Sequence, residues 1–263
     1  MTLLEINVWC RHQLLPDDDL GPLYDLLIDE PPQIRHAIGA LVYDHLIAQK
    51  FNSSQSGEGS NSSEVHLGRM LQILREFSTD QILNNYVIDD VWEYMKAMKD
   101  WKCIISMLLD ENPLVELTDE DGTNLVRLLS ASVKKVVGER IVPATDTCKL
   151  YYNKAQKEIF EHNRRDVTVA IMKNYPLLLR KFMADKSKIP SLVEIIVHMN
   201  LELYSLKRQE QNFKNVLQLM KDAFFKHGEK EALRSCVKAI NFCSTESQGE
   251  LQDFARSKLI LSR

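Results

Sequence analysis

The chain of 263 residues has a net charge of −4 and 44% hydrophobic residues but only 9 glycines and 8 prolines, a composition that favours long helices around a sizeable core over a strand-rich fold. It has five cysteines without a Cys-x-x-Cys pair, no signal sequence and no window of about eighteen uninterrupted apolar residues, so we expect free thiols, a reducing compartment and no membrane span. Residues 1–133 carry a net charge of −13 and residues 134–263 a net charge of +9, which indicates either a local surface for a polyanion or acidic partner, or solvated helix faces.

The first predicted elements are a pair of helices within residues 18–50. Pro31 and Pro32 separate the two helices, because proline suits the first turn of a helix but not its interior. His45 is expected to pack in the second helix rather than to act as a ligand, close to an apolar stripe formed by Ile34, Ile38, Leu41, Val42 and Leu46. The Ser/Gly/Asn-rich stretch 51–63 is predicted to be a flexible loop.

Helices resume at Glu64, and we predict them over residues 64–78, 80–96 and 98–111. The stretch 84–113 looks almost continuously helical, because its apolar residues recur at every third or fourth position. Its predicted buried face consists of Val87, Val91, Tyr94, Met95, Met98, Ile104, Ile105 and Leu108. Trp92 and Trp101 are expected to be buried packing anchors between adjacent helices.

The second half of the chain is predicted to consist of helices joined by short connections. Thr118 to Asp121 resembles a capping box that starts a helix running to about Gly138. An irregular connection over 139–150 follows. A further helix is predicted over about 151–174, and Pro176 either kinks it or opens the next helix. Helices are also predicted over about 188–199, 206–227, 229–244 and 248–260.

This order of elements predicts an all-α fold, a HEAT-repeat-like helical solenoid of antiparallel helix pairs. The helix pairs recur at roughly 35–45 residues, the period expected of such repeats. The predicted organisation is an N-terminal helix pair (1–50), the flexible Ser/Gly-rich loop (51–63) and a main HEAT-repeat segment (64–263) that is truncated at its C-terminus.

The sequence contains no catalytic or metal-binding motif. A Gly-rich phosphate loop, HExxH and GxSxG are absent, and none of the seven histidines pairs with another His or Cys at metal-ligand spacing. Asp89, Asp90 and Glu93 are expected to form a solvated helix face, and Cys236 and Cys243 to pack in the core. We therefore predict no enzyme, no catalytic, cofactor-binding or metal-binding residues, and no small-molecule substrate.

Four long segments resemble a known family: VIDDVWEYMKAMKDWKCIISMLLDENP (87–113), LTDEDGTNLVRLLSASVKKVVGERIVPATD (117–146), VTVAIMKNYPLLLRKFMADKSKIPSLVEIIVHMNLELYSLKRQEQNF (167–213) and FFKHGEKEALRSCVKAINFCS (224–244). They are similar to the cohesin subunit SA family, also called STAG or stromalin, in its plant-type form. The resemblance implies a central fragment of a longer HEAT-repeat protein, without the family's signature stromalin domain and its distal C-terminal arm.

The resemblance also implies a role in sister-chromatid cohesion, in the nucleus and associated with chromatin. The expected partners are the cohesin kleisin subunit, held in a groove between helix rows, through it the SMC subunits, and DNA bound without sequence preference. The candidate phosphate-binding residues are Lys134, Lys135, Arg140, Lys149, Lys154, Lys157, Arg164, Arg165, Lys173, Arg180 and Lys181.

Two alternatives stay open on the sequence alone. The chain could be a protein-interaction scaffold that does not bind DNA, or a non-functional truncated gene copy. The second alternative is suggested by the apolar residues 259–261, which are expected to lack a following repeat to cover them.

Overall fold

The computed structural model describes residues 25–28, 31–49, 62–77, 80–109, 117–143 and 151–260. Across these ranges the regular secondary structure is helical and contains no strand, which confirms the predicted all-α class. No helix among them is both long and apolar enough to cross a bilayer. Residues 51–61 of the predicted loop, and the side chains of 259–261, lie outside the described part.

The described α-helices are α1 (Pro32–Val42), α2 (Ser63–Arg75), α3 (Gln81–Val91), α4 (Trp101–Leu109), α5 (Asp119–Val136), α6 (Lys154–Ile171), α7 (Tyr175–Lys181), α8 (Ile189–Glu194), α9 (Glu202–Leu206), α10 (Glu210–Lys226), α11 (Lys230–Glu246) and α12 (Gly249–Ile260). A π-helical segment (Tyr43–Ile47) and two 3-10 segments (Lys96–Lys99 and Ile195–His198) accompany them.

The predicted start of α5 is confirmed by its hydrogen bonds. The Asp121 backbone N–H donates to Thr118 Oγ1 at 3.2 Å, and the Thr118 backbone N–H donates to Asp121 Oδ2 at 3.0 Å. This reciprocal pair is the capping-box arrangement, with an aspartate in the third position. The helix ends before Gly138, whose φ of +85° lies in the left-handed region that favours glycine.

The stretch 84–113 is not one near-continuous helix, and the predicted helix over 80–96 is too long. The α3 helix ends at Val91, and the backbone leaves the helical region at Met95 (φ −97°, ψ 89°) and at Asp100 (φ −86°, ψ 76°). Asp100 Oδ1 accepts a hydrogen bond from the Cys103 backbone N–H at 3.1 Å, so its side chain caps the first turn of α4. Apolar periodicity carries on through this break, which is why the sequence did not reveal it.

The predicted buried face of this stretch is nevertheless largely correct. Seven of its eight apolar residues are buried, whereas Tyr94 is 39% exposed because it falls in the turn after α3. Trp92 is buried at 6% exposure, as predicted, but Trp101 at the start of α4 is only half-buried. Cys236 and Cys243 are both buried in α11, as predicted.

The π-helical segment shifts the buried stripe of the first predicted helices. The Ala48 backbone N–H donates to the Tyr43 carbonyl oxygen at 2.7 Å, a step of five residues instead of four. The wider turn rotates the following residues, so Ile47 is fully buried and Leu46 is only half-buried. His45 is buried, and its burial lowers its pKa, which confirms that it is a packed histidine.

The chain divides into two compact units: residues 1–104 with 113–124, and residues 105–112 with 125–263. In the first unit, α1 and α3 pack together at Gly39. A Cβ atom at this position would lie 2.2 Å from the Asp90 carbonyl oxygen, so this approach of the two helices requires glycine.

The second unit has the layered arrangement of helical repeats. Short turns join α7 to α8 and α10 to α11, and the members of each pair pack against each other. The first helices of the two pairs, α7 and α10, pack against each other, and so do the second helices, α8 and α11. The last helix, α12, packs against both α10 and α11. The fully buried rings of Tyr175, Tyr204 and Phe213 lie in this core. Two adjacent rows of helices therefore form, as predicted for HEAT-type pairs.

Candidate nucleic-acid interface

Ten of the eleven predicted phosphate-binding residues lie on the second unit, and the remaining one, Lys149, lies outside the described residues. They fall into three groups along the chain. The first group, at the end of α5 and just after it, is Lys134, Lys135 and Arg140. The second, on α6, is Lys154, Lys157, Arg164 and Arg165. The third, at the start of the next repeat, is Lys173, Arg180 and Lys181.

In the first group, Lys134 is already engaged by a carboxylate. Its Nζ lies 2.9 Å from Glu194 Oε2, and Ser235 Oγ donates to Glu194 Oε1 at 3.2 Å. Burial alone would raise the pKa of Glu194, but the hydrogen bond and charge of Lys134 outweigh it and hold that pKa below its ordinary value. A phosphate would therefore have to compete with Glu194 for Lys134.

A contact between a carboxylate and a histidine also lies close to the end of α5. Glu139 Oε1 is 3.0 Å from Nδ1 of the buried His198. The hydrogen bond with His198, followed by its charge and those of Lys238 and Lys134, lowers the pKa of Glu139 despite partial burial. The two carboxylates thus place negative charge beside the first group of lysines, and sequence reasoning missed this because the partners are far apart in the chain.

The second group lies on a helix surface of mixed sign. Lys154 Nζ is 3.9 Å from Glu158 Oε1, and Arg164 Nε is 3.6 Å from Glu161 Oε1. Lys157 and Arg165 are exposed. Because acidic side chains alternate with the basic ones, α6 offers little excess positive charge to a polyanion.

The third group has the strongest excess of positive charge. Lys173, Arg180 and Lys181 are all exposed, and sequence reasoning missed a fourth exposed cation, Lys186, in the turn after α7. Between residues 170 and 188 the sequence has one carboxylate, Asp185. That carboxylate forms an ion pair with the buried Lys188. This part of the surface therefore carries more exposed positive than negative charge.

The expectation that Asp89, Asp90 and Glu93 form a solvated face is wrong for the two aspartates. Asp89 is 8% exposed and Asp90 is 1% exposed, whereas Glu93 is exposed. Arg35, itself 3% exposed, places Nε 3.7 Å from Asp90 Oδ1 and its guanidinium 4.3 Å from the Tyr86 ring centre. The tertiary structure thus supplies a buried counter-charge that the local sequence could not show.

His36, Asp89 and Asp90 are also the described residues that come closest to a metal-ligand set. One potential ligand atom from each lies within 4.8 Å of the others. However, the guanidinium of Arg35 already balances the charge of Asp90, and a bound cation would lie next to it. The cluster is therefore better explained as a buried ion pair with a neighbouring histidine than as a metal centre.

The three described cysteines lack the chemistry of a nucleophile. Burial raises the pKa of Cys103 to about 11 and that of Cys236 to about 11, and it raises the pKa of the fully buried Cys243 as well. The thiolate, which is the reactive form, is therefore scarce at neutral pH in each of them.

The paired helix rows and the charged outer surface define a HEAT-type helical-repeat protein. A family model described as the HEAT-repeats domain of cohesin subunit SCC3/SA matches residues 86–260. The chain belongs to this cohesin subunit SCC3/SA family, in agreement with the resemblance seen in its sequence.

Individual relatives support the same assignment. The chain is 74% identical over 253 residues to sister-chromatid cohesion protein 3 of Arabidopsis thaliana, an alignment that covers 95% of this chain and 23% of that protein. It is 23% identical over 242 residues to cohesin subunit SA-1 of Xenopus laevis, covering 89% of this chain and 19% of that protein. It is 24% identical over 254 residues to cohesin subunit SA-3 of Homo sapiens, an alignment that covers 94% of this chain and 21% of that protein. The chain therefore spans about a fifth to a quarter of the length of these relatives.

Proposed function

We propose that this chain acts as a non-enzymatic segment of a cohesin-complex subunit in sister-chromatid cohesion, in the nucleus and associated with chromatin. Its family membership supports this role, as do the names of its relatives, which describe cohesin subunits and a sister-chromatid cohesion protein. Within that role the chain would bind the kleisin subunit, and through it the SMC subunits, and would contact DNA.

The kleisin would lie as an extended segment along the helix rows of the second unit. Two features support this proposal. The helix rows pack side by side. On α11, the apolar side chain of Val237 is 49% exposed and lies close in the helix to the exposed cations Arg234 and Lys238. A pull-down with the central segment of the kleisin tests it. The proposal fails if the folded chain retains none of that segment at micromolar concentration.

The DNA contact would be made to the phosphate backbone, without reading the bases. The observation that carries this proposal is the group of exposed cations Lys173, Arg180, Lys181 and Lys186, whose one carboxylate neighbour in sequence, Asp185, is paired with Lys188. We expect this group to contribute more than the basic residues of α6, where acidic side chains alternate with the basic ones.

Salt-dependent DNA binding tests this proposal. Fluorescence anisotropy with a labelled duplex of random sequence would compare the wild-type chain with two variants. The first reverses Lys173, Arg180 and Lys186 to Glu, and the second reverses Lys154, Lys157, Arg164 and Arg165 to Glu. A matched control reverses three exposed cations outside the predicted set, Lys207, Lys230 and Arg256.

We expect the first variant to bind every DNA sequence more weakly. The slope of the logarithm of the binding constant against the logarithm of the salt concentration should become shallower by roughly 0.9 for each phosphate that the variant no longer neutralises. The second variant should lose less affinity, and the control least. If all three variants lose affinity equally, only net charge matters and the proposed interface is wrong.

A scaffold that does not bind DNA is the second candidate. The pairing of Lys134 with Glu194, and of basic with acidic residues along α6, favours it. Retention of the kleisin segment together with undetectable DNA binding at low salt would select this candidate. The third possibility, a non-functional gene copy, predicts a chain without a cooperative melting transition.

A further inference from the structure

A buried histidine from one helix pair contacts the cation-bearing turn of the preceding pair. This turn, residues 182–188, joins α7 to α8; it carries Lys186 and follows Lys181, two of the cations proposed to contact DNA. Nε2 of His227 lies 2.9 Å from the carbonyl oxygen of Met183 in the turn. His227 is 7% exposed and lies at the end of α10, 44 residues further along the chain.

The acceptor fixes the direction of this hydrogen bond. A carbonyl oxygen can only accept, so Nε2 of His227 carries a hydrogen and donates it to Met183. The backbone N–H of His227 donates to the Ala223 carbonyl oxygen at 3.0 Å, so the base of the side chain is fixed to α10. The ring therefore links the end of one helix to the turn of another.

The Met183 carbonyl accepts this bond because the chain has left the helix. In a continuing helix it would accept from the N–H of Ser187, four residues later. That N–H instead donates to Asp185 Oδ1 at 2.8 Å, and the same oxygen accepts from the Lys188 backbone N–H at 3.2 Å. Asp185 thus organises the turn internally, whereas His227 ties it to the next helix pair.

We propose that His227 is a positioning residue for the DNA contact, because its Nε2–H holds the turn 182–188, and with it Lys186, against the next helix pair. The consequence for DNA rests on the proposed function, but the anchoring itself is measurable without DNA. A cation on a held turn loses less conformational freedom on binding than one on a loose turn, so a weaker anchor lowers the apparent affinity.

Three substitutions of His227 in the whole chain separate the donor from the rest of the side chain. His227→Leu removes the donor. His227→Gln keeps an N–H group at the same number of bonds from Cα as histidine Nε2, whereas His227→Asn places its amide nitrogen one bond closer to the backbone. Only the Gln variant can therefore restore the bond to Met183. Circular dichroism melts verify that each variant folds.

Limited proteolysis with trypsin measures the anchor. Trypsin cleaves after lysine, and cleavage after Lys186 requires local opening of the turn. Cleavage after the exposed Lys207, which follows α9, is the reference within the same digest. We expect His227→Leu and His227→Asn to speed cleavage after Lys186 about fivefold relative to this reference, the factor that corresponds to one lost hydrogen bond. His227→Gln should match the wild type.

Fluorescence anisotropy with the labelled duplex measures the consequence for DNA. We expect His227→Leu and His227→Asn to weaken binding by about two- to fivefold, up to the factor by which the turn opens more easily, and His227→Gln to restore it. The salt dependence should stay that of the wild type, because the bound chain still neutralises the same phosphates. This separates a positioning residue from the cations themselves, whose reversal makes the salt dependence shallower.

Unchanged cleavage after Lys186 in His227→Leu, or equal cleavage in the Gln and Asn variants, would overturn the anchoring role. Faster cleavage with unchanged DNA affinity would overturn the positioning role. If the wild type does not bind DNA at low salt, the proposed DNA contact is wrong, and the cleavage rates still decide whether His227 holds the turn. If His227→Leu does not fold, the comparison of Gln with Asn decides the same point.

Discussion

The ion pair between Arg75 and Asp121 gives the most direct test of how the first unit is held together. Asp121 is 1% exposed, and its two carboxylate oxygens accept hydrogen bonds from Arg75 Nε at 2.7 Å and Nη2 at 2.6 Å. The same carboxylate accepts from the Thr118 hydroxyl at 2.7 Å, at the start of α5. Asp121→Asn keeps nearly the same shape but removes the charge and replaces one acceptor oxygen by an NH2 donor, so it tests the charge together with the hydrogen bonds to that oxygen.

The expected loss follows from the pKa of Asp121. The hydrogen bonds from Arg75 first, and those from Thr118, lower this pKa from its ordinary 3.8 to about 2, against the opposing effect of burial. A pKa lowered by that amount corresponds to about 2.4 kcal/mol of stability at neutral pH. Because the Arg75 side chain is 43% exposed and partly screened by solvent, we expect Asp121→Asn to lower the free energy of unfolding by about 1–2 kcal/mol.

Urea unfolding at several pH values provides the assay. The folded state binds the Asp121 proton less readily than the unfolded state, so the contribution is complete well above pH 3.8 and is lost as the pH falls toward 2. The difference between wild type and Asp121→Asn should therefore shrink between about pH 5 and pH 2.5. Glu120→Gln, an exposed change in the same helical turn, is the matched control and should alter stability little. A difference that stays constant with pH, or is no larger than that of the control, would refute the reasoning.

Three further predictions concern packing and buried histidine. Gly39→Ala should lower the free energy of unfolding by about 2–4 kcal/mol in thermal or urea unfolding, because its Cβ would lie 2.2 Å from the Asp90 carbonyl oxygen. The control Gly228→Ala has open space around the new Cβ and should change the free energy of unfolding little. Trp92→Ala should cost about 3–5 kcal/mol, since the ring is 6% exposed, and a loss below about 1 kcal/mol would contradict the packing described. Burial, and then the charge of Arg69, lower the pKa of His66 from its ordinary 6.5. The unfolded chain therefore binds the proton more readily than the folded chain, and the free energy of unfolding should fall as the pH drops below about 6.5. His66→Gln should make this pH dependence weaker, as urea unfolding at several pH values would show.

The sequence was sufficient to predict most of the helices, because their apolar spacing reflects burial directly. The stripe that includes Val87, Met98 and Leu108 is buried as its periodicity indicates. Periodicity could not show where the backbone leaves the helix between Val91 and Trp101, since apolar residues continue through the break. Boundaries set by a single side-chain cap, such as that of Asp100, are only visible once the hydrogen bonds are known.

The candidate interface was harder to predict, because charge in a sequence carries no information on its partners. Lys134 and Arg180 look alike in the sequence, yet the former is held by Glu194, sixty residues away, and the latter is exposed. Asp90 looked like a solvated carboxylate until the structure placed Arg35 beside it. Long-range ion pairs of this kind decide which charges a ligand can reach, and only the tertiary structure reveals them.

The five-residue step at Tyr43 has a consequence for comparing this chain with its relatives. A π-helical turn accommodates one more residue than a regular helix of the same rise, and it is the expected outcome of a single-residue insertion into an existing helix. Relatives with a regular helix here should align to this chain with a gap of one residue between Tyr43 and Ala48. In those relatives, the residue that fills the space of the buried Ile47 should stand one position earlier in the chain.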